Sequence, residues 1–444
     1  MKILNGISIF GMMPFRRFST FMALILILTS ILNIENGILT AMKNMNQLRK
    51  FKGKMNITRK LTYDRVKITT LSTIPFFFII YRLFFGKKTL VPFAPLEKFQ
   101  IVDLNDYNET LKRLELPNIL AQDDFREIFE KIHETLETKS SKRKFTIKEI
   151  LSYVIIGDSI GAAYEFEEAN ENGTNFPWFS EKSGITDDSV LTFAITDAVL
   201  SILEKGCNKS EKIIELFKCK FLEFYQLATK KFNRRPGGYL FRNNGGFGGR
   251  FSAAIKKESF PPSDSCGNGS AMRSSFIAHA FKSLEEALVV SDLSALHTHR
   301  HKDGRLGAII TVLAIWLAKH GYSQSEIKTL LLLVIPSHWQ GSSLCETNDF
   351  ELLDGGQWEI SQKTIGPAIV AFIFGKSFED VIRRAVSYGG DTDTMAAIAA
   401  SIAGPYFGKI PEAIQEQPMK RFEDEYPLLY QCFEGFSERY EKLI

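Results

Sequence analysis

The 444-residue chain is 45% hydrophobic and 24% charged, which excludes a disordered chain and leaves room for two or three domains of ordinary size. Its formal charge of +4 is unevenly spread: residues 1–145 hold 24 Lys and Arg against 13 Asp and Glu, a balance of +11, and the remainder holds 31 against 38, a balance of −7. Five cysteines (Cys207, Cys219, Cys266, Cys345, Cys432) without CxxC spacing argue against a disulfide framework or a zinc knuckle. They point to reduced thiols inside a cell, with the cytoplasm the expected compartment.

In chain order, Arg16 and Arg17 precede an apolar run over 21–32. This has the shape of a signal-peptide core and falls short of the ~20 apolar residues that span a bilayer. A second apolar run over 74–85 is interrupted by Arg82. Residues 15–35 and 72–86 are therefore candidate membrane contacts of an N-terminal extension, 1–144, that has no recognised domain and no enzymatic motif, the competing reading being an upstream extension of poor order. Its basic excess suits an anionic surface, but it carries no motif for a specific nucleic acid. The charged, helix-patterned stretch 122–144 ends in Lys139-Ser-Ser-Lys-Arg-Lys, which reads as a solvated linker and places the start of the folded domain, 145–444, at Phe145.

Beyond it, helix-period apolar stretches follow one another over 147–166, 189–203, 212–228, 271–290, 307–318, 324–334, 364–374, 378–387 and 395–406. Strand alternation is almost absent, so the fold class is all-α, expected as a monomer. The first helix contains Gly157-Asp158-Ser159-Ile160-Gly161, and its two glycines allow another helix to come close. Glu165 emerges at its end.

Two short segments carry the chemistry. Thr186-Asp187-Asp188-Ser189 leads into an apolar helix, with Thr186 a good N-cap and the acids in the first turn. Gly389-Gly390-Asp391-Thr392-Asp393-Thr394 leads into another, Met395-Ala-Ala-Ile-Ala-Ala. Acids at a helix start offset the helix dipole by ~0.3–1 kcal/mol and need no further reason. Two such segments on helices too apolar for the surface imply more. Four carboxylates at the buried ends of core helices repel one another and lose solvation, and a hard divalent cation removes that penalty. Carboxylate, Thr hydroxyl and water are the donors Mg²⁺ takes in its octahedron. Six such side chains suffice for two ions, with Asp393 placed to bridge them. Glu165, on the loop beyond its helix, can serve as a further ligand or a proton shuttle.

The glycine-rich stretch 237–249 and Cys266-Gly267-Asn268-Gly269-Ser270-Ala271-Met272-Arg273 offer backbone N–H groups for an anion such as a diphosphate. His297-Thr298-His299-Arg300-His301 invites a zinc reading, but no Cys or acid sits at ligand spacing.

The segments GDSIGAAYEF, ITDDSVLTFAITDAVL, GNGSAMR, THRHKDGRLGAI and GGDTDTMAAIAASIAGPYFG, in this order, resemble the ADP-ribosylglycohydrolase family, which includes the dinitrogenase reductase-activating glycohydrolase and the ADP-ribosyl-acceptor hydrolases. The resemblance covers about three-fifths of the chain, 147–408. It implies an all-α fold with a dinuclear Mg²⁺ site in a central cleft, Mn²⁺ being the alternative ion. It also implies removal of ADP-ribose from a modified protein side chain or related conjugate by water attack at the anomeric carbon. Carried over residue by residue, Thr186, Asp187 and Asp188 hold one ion, Asp391 and Thr394 the other, and Asp393 reaches both. Glu165 matches the acid of a mobile loop, Gly267, Asn268 and Gly269 fall in the loop around the distal ribose and diphosphate, and His299 lies near the adenine. Glu165, Asp187, Asp188 and Asp393 are the implied catalytic acids. The competing reading is an inactive ADP-ribose-binding or crystallin-like relative, which would keep the helices and lose ligands. Every matched metal position here keeps its ligand type.

Overall fold

A computed structural model describes residues 102–136, 139, 144–167, 173–229, 246–257, 260–339, 341, 344 and 358–441. In chain order its helices are α1 (Leu104–Arg113), α2 (Asp123–Leu136), α3 (Ile147–Gly161), α4 (Asp187–Lys205), α5 (Ser210–Thr229), α6 (Gly249–Ile255), α7 (Ile277–Ala280), α8 (Leu284–Ala295), α9 (Lys302–Lys319), α10 (Gln324–Leu331), α11 (Ser361–Phe374), α12 (Phe378–Ser387), α13 (Thr392–Phe407), α14 (Glu412–Glu425) and α15 (Pro427–Glu441). Among the described residues there is no strand, only isolated bridges. The all-α expectation holds.

Two helices form the centre, and their sequences say why. α3 opens with a capping box, Thr146 Oγ1 accepting from Glu149 N and the Glu149 carboxylate from Thr146 N. Its residues from Ile150 to Gly161 are all buried. From Thr392 to Pro405, α13 is buried on every side too. A helix that is apolar all round belongs in the interior. These two pack against each other more extensively than any other pair. The crossing is closed by the glycines: a Cβ on Gly157 would stand 2.3 Å from Ala396 O, and one on Gly161 2.3 Å from Thr392 O. Thr392 Oγ1 donates to Gly161 O at 2.8 Å. The start of α13 is thereby fixed against the end of α3, with α4, α9, α11, α12 and α14 packed around the pair.

The stretch 271–290 expected as one helix holds two separate pieces, the single turn α7 and the start of α8, and a 3₁₀ turn at Asn268–Ser270 precedes it. Ser283 restarts the helix by accepting from Glu286 N, with Glu285 and Glu286 in the new first turn. The folded body also begins earlier than the boundary expected at residue 145. Val102, Tyr107, Leu111, Ile119, Phe125, Ile128 and Ile132 belong to the same hydrophobic core as α3 and α13. The helices before that boundary, α1 and α2, are amphipathic rather than wholly polar, and residues 140–143 of the expected linker lie outside the described residues.

The apolar runs at 15–35 and 72–86 lie outside the described residues. Among the described residues no helix is long and apolar enough to cross a membrane. Cys207, Cys219, Cys266 and Cys432 are free thiols, and Cys345 lies outside the described residues.

Candidate metal centre and active site

The start of α4 is built as the sequence predicts. Thr186 is the N-cap in extended conformation, its hydroxyl accepting from Asp188 N at 3.2 Å and donating to Asp188 Oδ2 at 3.2 Å. What the sequence reading missed is Asp158. This carboxylate is fully buried in α3 and accepts from Thr186 N at 2.9 Å, from Ser189 N at 3.1 Å and from Ser189 Oγ. It caps α4 from another helix and fixes where the next two acids point. The available signal was an acid between two glycines on an otherwise apolar helix.

The start of α13 completes the cluster. Gly389 and Gly390 take positive φ of 75° and 73°, and Asp391 is the N-cap. Asp393 Oδ1 accepts from Thr394 N at 2.9 Å. Thr394 Oγ1 donates to Asp188 Oδ2 at 3.3 Å, joining two segments 206 residues apart in the chain. Glu165 comes in from a third direction: one carboxylate oxygen each of Glu165, Asp391 and Asp393 lies within 4.8 Å of the others. Its segment is tied down by Phe166 N donating to Gly390 O at 2.6 Å and Gly390 N to Glu167 O at 2.9 Å.

Asp188, Asp391 and Asp393 are buried, while Asp187 and Glu165 keep partial exposure. Burial is the leading effect on all of them. It pushes Glu165 up to about 8, assisted by the charges of Asp391, Asp187, Asp158 and Glu359. Asp158 rises to about 6 against the opposing hydrogen bonds of Ser189 and Thr186. Asp187, Asp188, Asp391 and Asp393 all stand well above the usual carboxylate range, raised by burial and then chiefly by one another or by Asp158 and Glu165. Asp188 Oδ1 is buried without a hydrogen-bond partner. A buried carboxylate oxygen left unpaired is strongly disfavoured unless something outside the chain satisfies it. Five acids and two Thr hydroxyls offer oxygen donors alone, which is a hard divalent cation's set. The residues fit the group the sequence predicts.

Gly267, Asn268, Gly269 and His299 meet beside these acids. The Asn268 side chain donates to Asp391 Oδ2 at 2.7 Å and to Thr364 Oγ1 at 2.9 Å, so it orients a cluster acid. Cβ atoms on Gly267 and Gly269 would stand 3.4 Å and 3.2 Å from His299 Nε2, so the ring lies close against both glycines. Gly246, from the glycine-rich stretch, backs onto the acids: a Cβ there would meet Asp187 Oδ1 at 3.3 Å. The three alternating histidines make no common centre. His297 Nε2 bonds Phe260 O, His299 Nδ1 bonds Thr298 Oγ1, and His301 Nδ1 accepts from Asp303 N at the start of α9. Arg273 was passed over as a residue with a role. It is fully buried, with its guanidinium 4.0 Å from the Phe221 ring centroid.

An all-helical body thus gathers acids and Thr hydroxyls from two helix starts beside a glycine loop. The profile of ADP-ribosylglycohydrolase matches residues 147–441, and the chain belongs to that family, a family of glycosidic-bond hydrolases. The ADP-ribosylhydrolase ARH3 of Homo sapiens is 30% identical over 194 residues, covering 34% of this chain and 53% of the human protein. That of Mus musculus is 25% identical over 358 residues, covering 65% and 91%. The chain thus spans about half of the human relative and most of the mouse one. A solved structure described as an ADP-ribosylglycohydrolase-related protein complex is 18% identical, with TM-score 0.44, covering 67% of this chain and 98% of that one.

Proposed function

We propose that this chain is a Mg²⁺-dependent hydrolase that frees ADP-ribose from an ADP-ribosylated protein side chain or related conjugate, with Mn²⁺ able to substitute. The observation that carries the reading is the Thr394–Asp188 contact, which makes one cluster of two acidic segments far apart in sequence. Family membership and the name of the relatives, ADP-ribosylhydrolase, point to the same chemistry. Thr186, Asp187, Asp188, Asp391, Asp393 and Thr394 would hold two ions, with Asp393 between them and Glu165 closing the set. Bound cations supply the charge that lets these acids stay ionised together, and Lewis acidity toward water and the ribose hydroxyls.

The chain's own groups do the rest. The 267–269 loop and His299 seat the diphosphate and adenosine end, leaving the proximal ribose over the acids. Asp187, partly exposed and backed by Gly246, takes a proton from the attacking water, whose oxygen bonds to the anomeric carbon as the bond to the acceptor atom breaks. That proton returns to the departing acceptor atom, so free ADP-ribose and the unmodified acceptor result. Glu165 is held at the rim by Gly390 and excludes bulk water from the cluster. The transition state has oxocarbenium character, as in other glycosidic cleavage. Complete retention of the ligand set disfavours an inactive crystallin-like relative.

The test is Asp393→Ala in the full chain, with arginine-linked, serine-linked and polymeric ADP-ribose as substrates. Release of ADP-ribose should vanish while the circular dichroism spectrum stays that of the parent. Release at the parent rate would refute the assignment.

A further inference from the structure

His299, beside the glycine loop, stands at the end of a hydrogen-bond chain that the proposed reaction does not use. Arg273 Nη2 donates to Thr298 Oγ1 at 2.7 Å and also to Ser294 O at 3.2 Å. The same Thr298 Oγ1 lies 2.7 Å from His299 Nδ1. All three side chains are buried.

Donor and acceptor roles along this chain are not free. A guanidinium only donates, so Thr298 Oγ1 accepts from Arg273. Its own hydrogen then has one acceptor among the described residues, His299 Nδ1. Were Nδ1 to carry a hydrogen instead, that hydrogen would face the Thr298 oxygen, and the threonine's own would be buried with nowhere to go. We infer that Thr298 is a positioning residue which, held by Arg273, fixes His299 as the neutral tautomer with its hydrogen on Nε2. That hydrogen faces the cradle of Gly267 and Gly269, whose Cα positions leave Nε2 uncovered by any Cβ. It is offered to an oxygen acceptor of the ligand's diphosphate–ribose portion. This deepens the proposed function and rests on its assignment of the 267–269 loop to the ligand.

The surroundings agree. His299 is held well below the ordinary histidine range, by burial first and then by the Arg273 charge, so the ring has no tendency to become a double donor. The backbone is held too, since His299 N donates to Ala295 O at 2.7 Å. Fixing a tautomer through the second ring nitrogen is how a histidine's donor is aimed.

The test uses the full chain with ¹⁵N-labelled histidine, its His299 signals assigned by their loss in His299→Ala. In the parent, Nε2 should show the proton-bearing signature and Nδ1 the bare one. In Thr298→Val the two forms should mix, and affinity for ADP-ribose by calorimetry should fall about tenfold, one hydrogen bond's worth. Thr298→Ser should keep both the spectrum and the affinity. A parent ring protonated at Nδ1, or a Thr298→Val protein with the parent's spectrum and affinity, would overturn the inference. Failure of the underlying reading looks different: His299→Ala would then bind ADP-ribose as tightly as the parent, while the parent's tautomer would still decide the role of Thr298.

Discussion

Arg305 and Asp292 are both fully buried, and the pair ties the segment before residue 145 to the helices that carry the site. Arg305 Nε donates to Asp292 Oδ1 at 2.7 Å and Nη2 to Oδ2 at 2.6 Å. Tyr107 of α1 donates its hydroxyl to Asp292 Oδ2 at 2.7 Å, and Arg305 Nη1 donates to Pro117 O at 2.9 Å. Burial and the Asp292 charge push the Tyr107 phenol up, so it stays a donor. Arg305→Met keeps the volume and leaves Asp292 a buried anion with one hydroxyl for company, a loss of about 3–5 kcal/mol. That is a large share of the roughly 5–15 kcal/mol of a typical domain. Tyr107→Phe removes a single hydrogen bond to a charged acceptor and leaves the ion pair intact, a loss of about 1.5–3 kcal/mol. A fragment starting at residue 145 removes both Tyr107 and the Pro117 carbonyl. It also uncovers core that Leu111, Ile119, Phe125 and Ile128 cover, at about 1.5–3 kcal/mol per large side chain before the ordering entropy of the deleted segment is credited back. Urea unfolding of the full chain at pH 7, followed by circular dichroism, measures the two substitutions. The expected order of midpoints is parent, Tyr107→Phe, Arg305→Met. A loss below about 1 kcal/mol for Arg305→Met would refute the reasoning, because it would mean the Asp292 charge is not confined to a dry interior.

In chelator, Asp188→Asn should melt no lower than the parent, since it removes a charge that its neighbours repel. Mg²⁺ at a hundred times its Kd should stabilise the parent by about 2.7 kcal/mol and the variant far less, read by thermal scanning, and equal Mg²⁺ shifts would count against the cluster as a cation site. Gly161→Ala places a Cβ 2.3 Å from Thr392 O and 2.5 Å from the Asp393 Cα, so backbone must move at a cost of about 1–3 kcal/mol and ADP-ribose release should fall at least tenfold. Gly435→Ala in α15, where a Cβ meets nothing within 4 Å, is its control, and parent-like turnover by Gly161→Ala would contradict the close crossing. His297 is pushed down to about 4 by burial, opposed by its bond to Phe260 O, with Lys218, Glu215 and Arg300 also acting on it. The unfolded chain therefore binds its proton first, so this stability is present above about pH 6.5 and is lost as pH falls toward 4, amounting to about 2–3 kcal/mol at pH 4.5. Comparing the pH dependence of unfolding for His297→Gln and the parent cancels the opposite titration of the buried acids, and parallel curves would exclude the effect.

How much of this was legible depended on whether a residue's role is local. Thr186 as N-cap with Asp187 and Asp188 behind it, and Asp391 after paired glycines, follow from neighbours in sequence, and the structure shows both helix starts. Gly157 and Gly161 announced a close helix by their spacing, and α13 occupies that place. Asp158, Arg273 and Arg305 were not legible, because each acts on groups far away in sequence: Asp158 on Thr186 and Ser189, Arg273 on Thr298, Arg305 on Asp292 and Pro117. A buried charge looks like a surface charge until its partner is known. The break at Ser283 and the apolar faces of α1 and α2 were hidden by the reverse effect, since short-range composition outweighed a pattern that only packing completes.

The two kinds of residue meet in one physical requirement. A cluster of like charges holds its shape only if each acid is oriented by groups that do not themselves compete for the cation. Asp158 acts through the α4 backbone and the Ser189 hydroxyl, and Asn268 through one oxygen of Asp391, while Asp188 Oδ1 is left bare. The clash that would follow any Cβ at Gly157 or Gly161 sets how far apart the two helix starts stand. The distance between acids is therefore a property of backbone packing, and the repulsion between them is carried by α3 and α13, whose buried surfaces are large enough to bear it. On the proposed reading, a site held this way would be assembled before any cation arrived, and the cation's binding free energy would go to neutralising charge rather than to bringing the acids together.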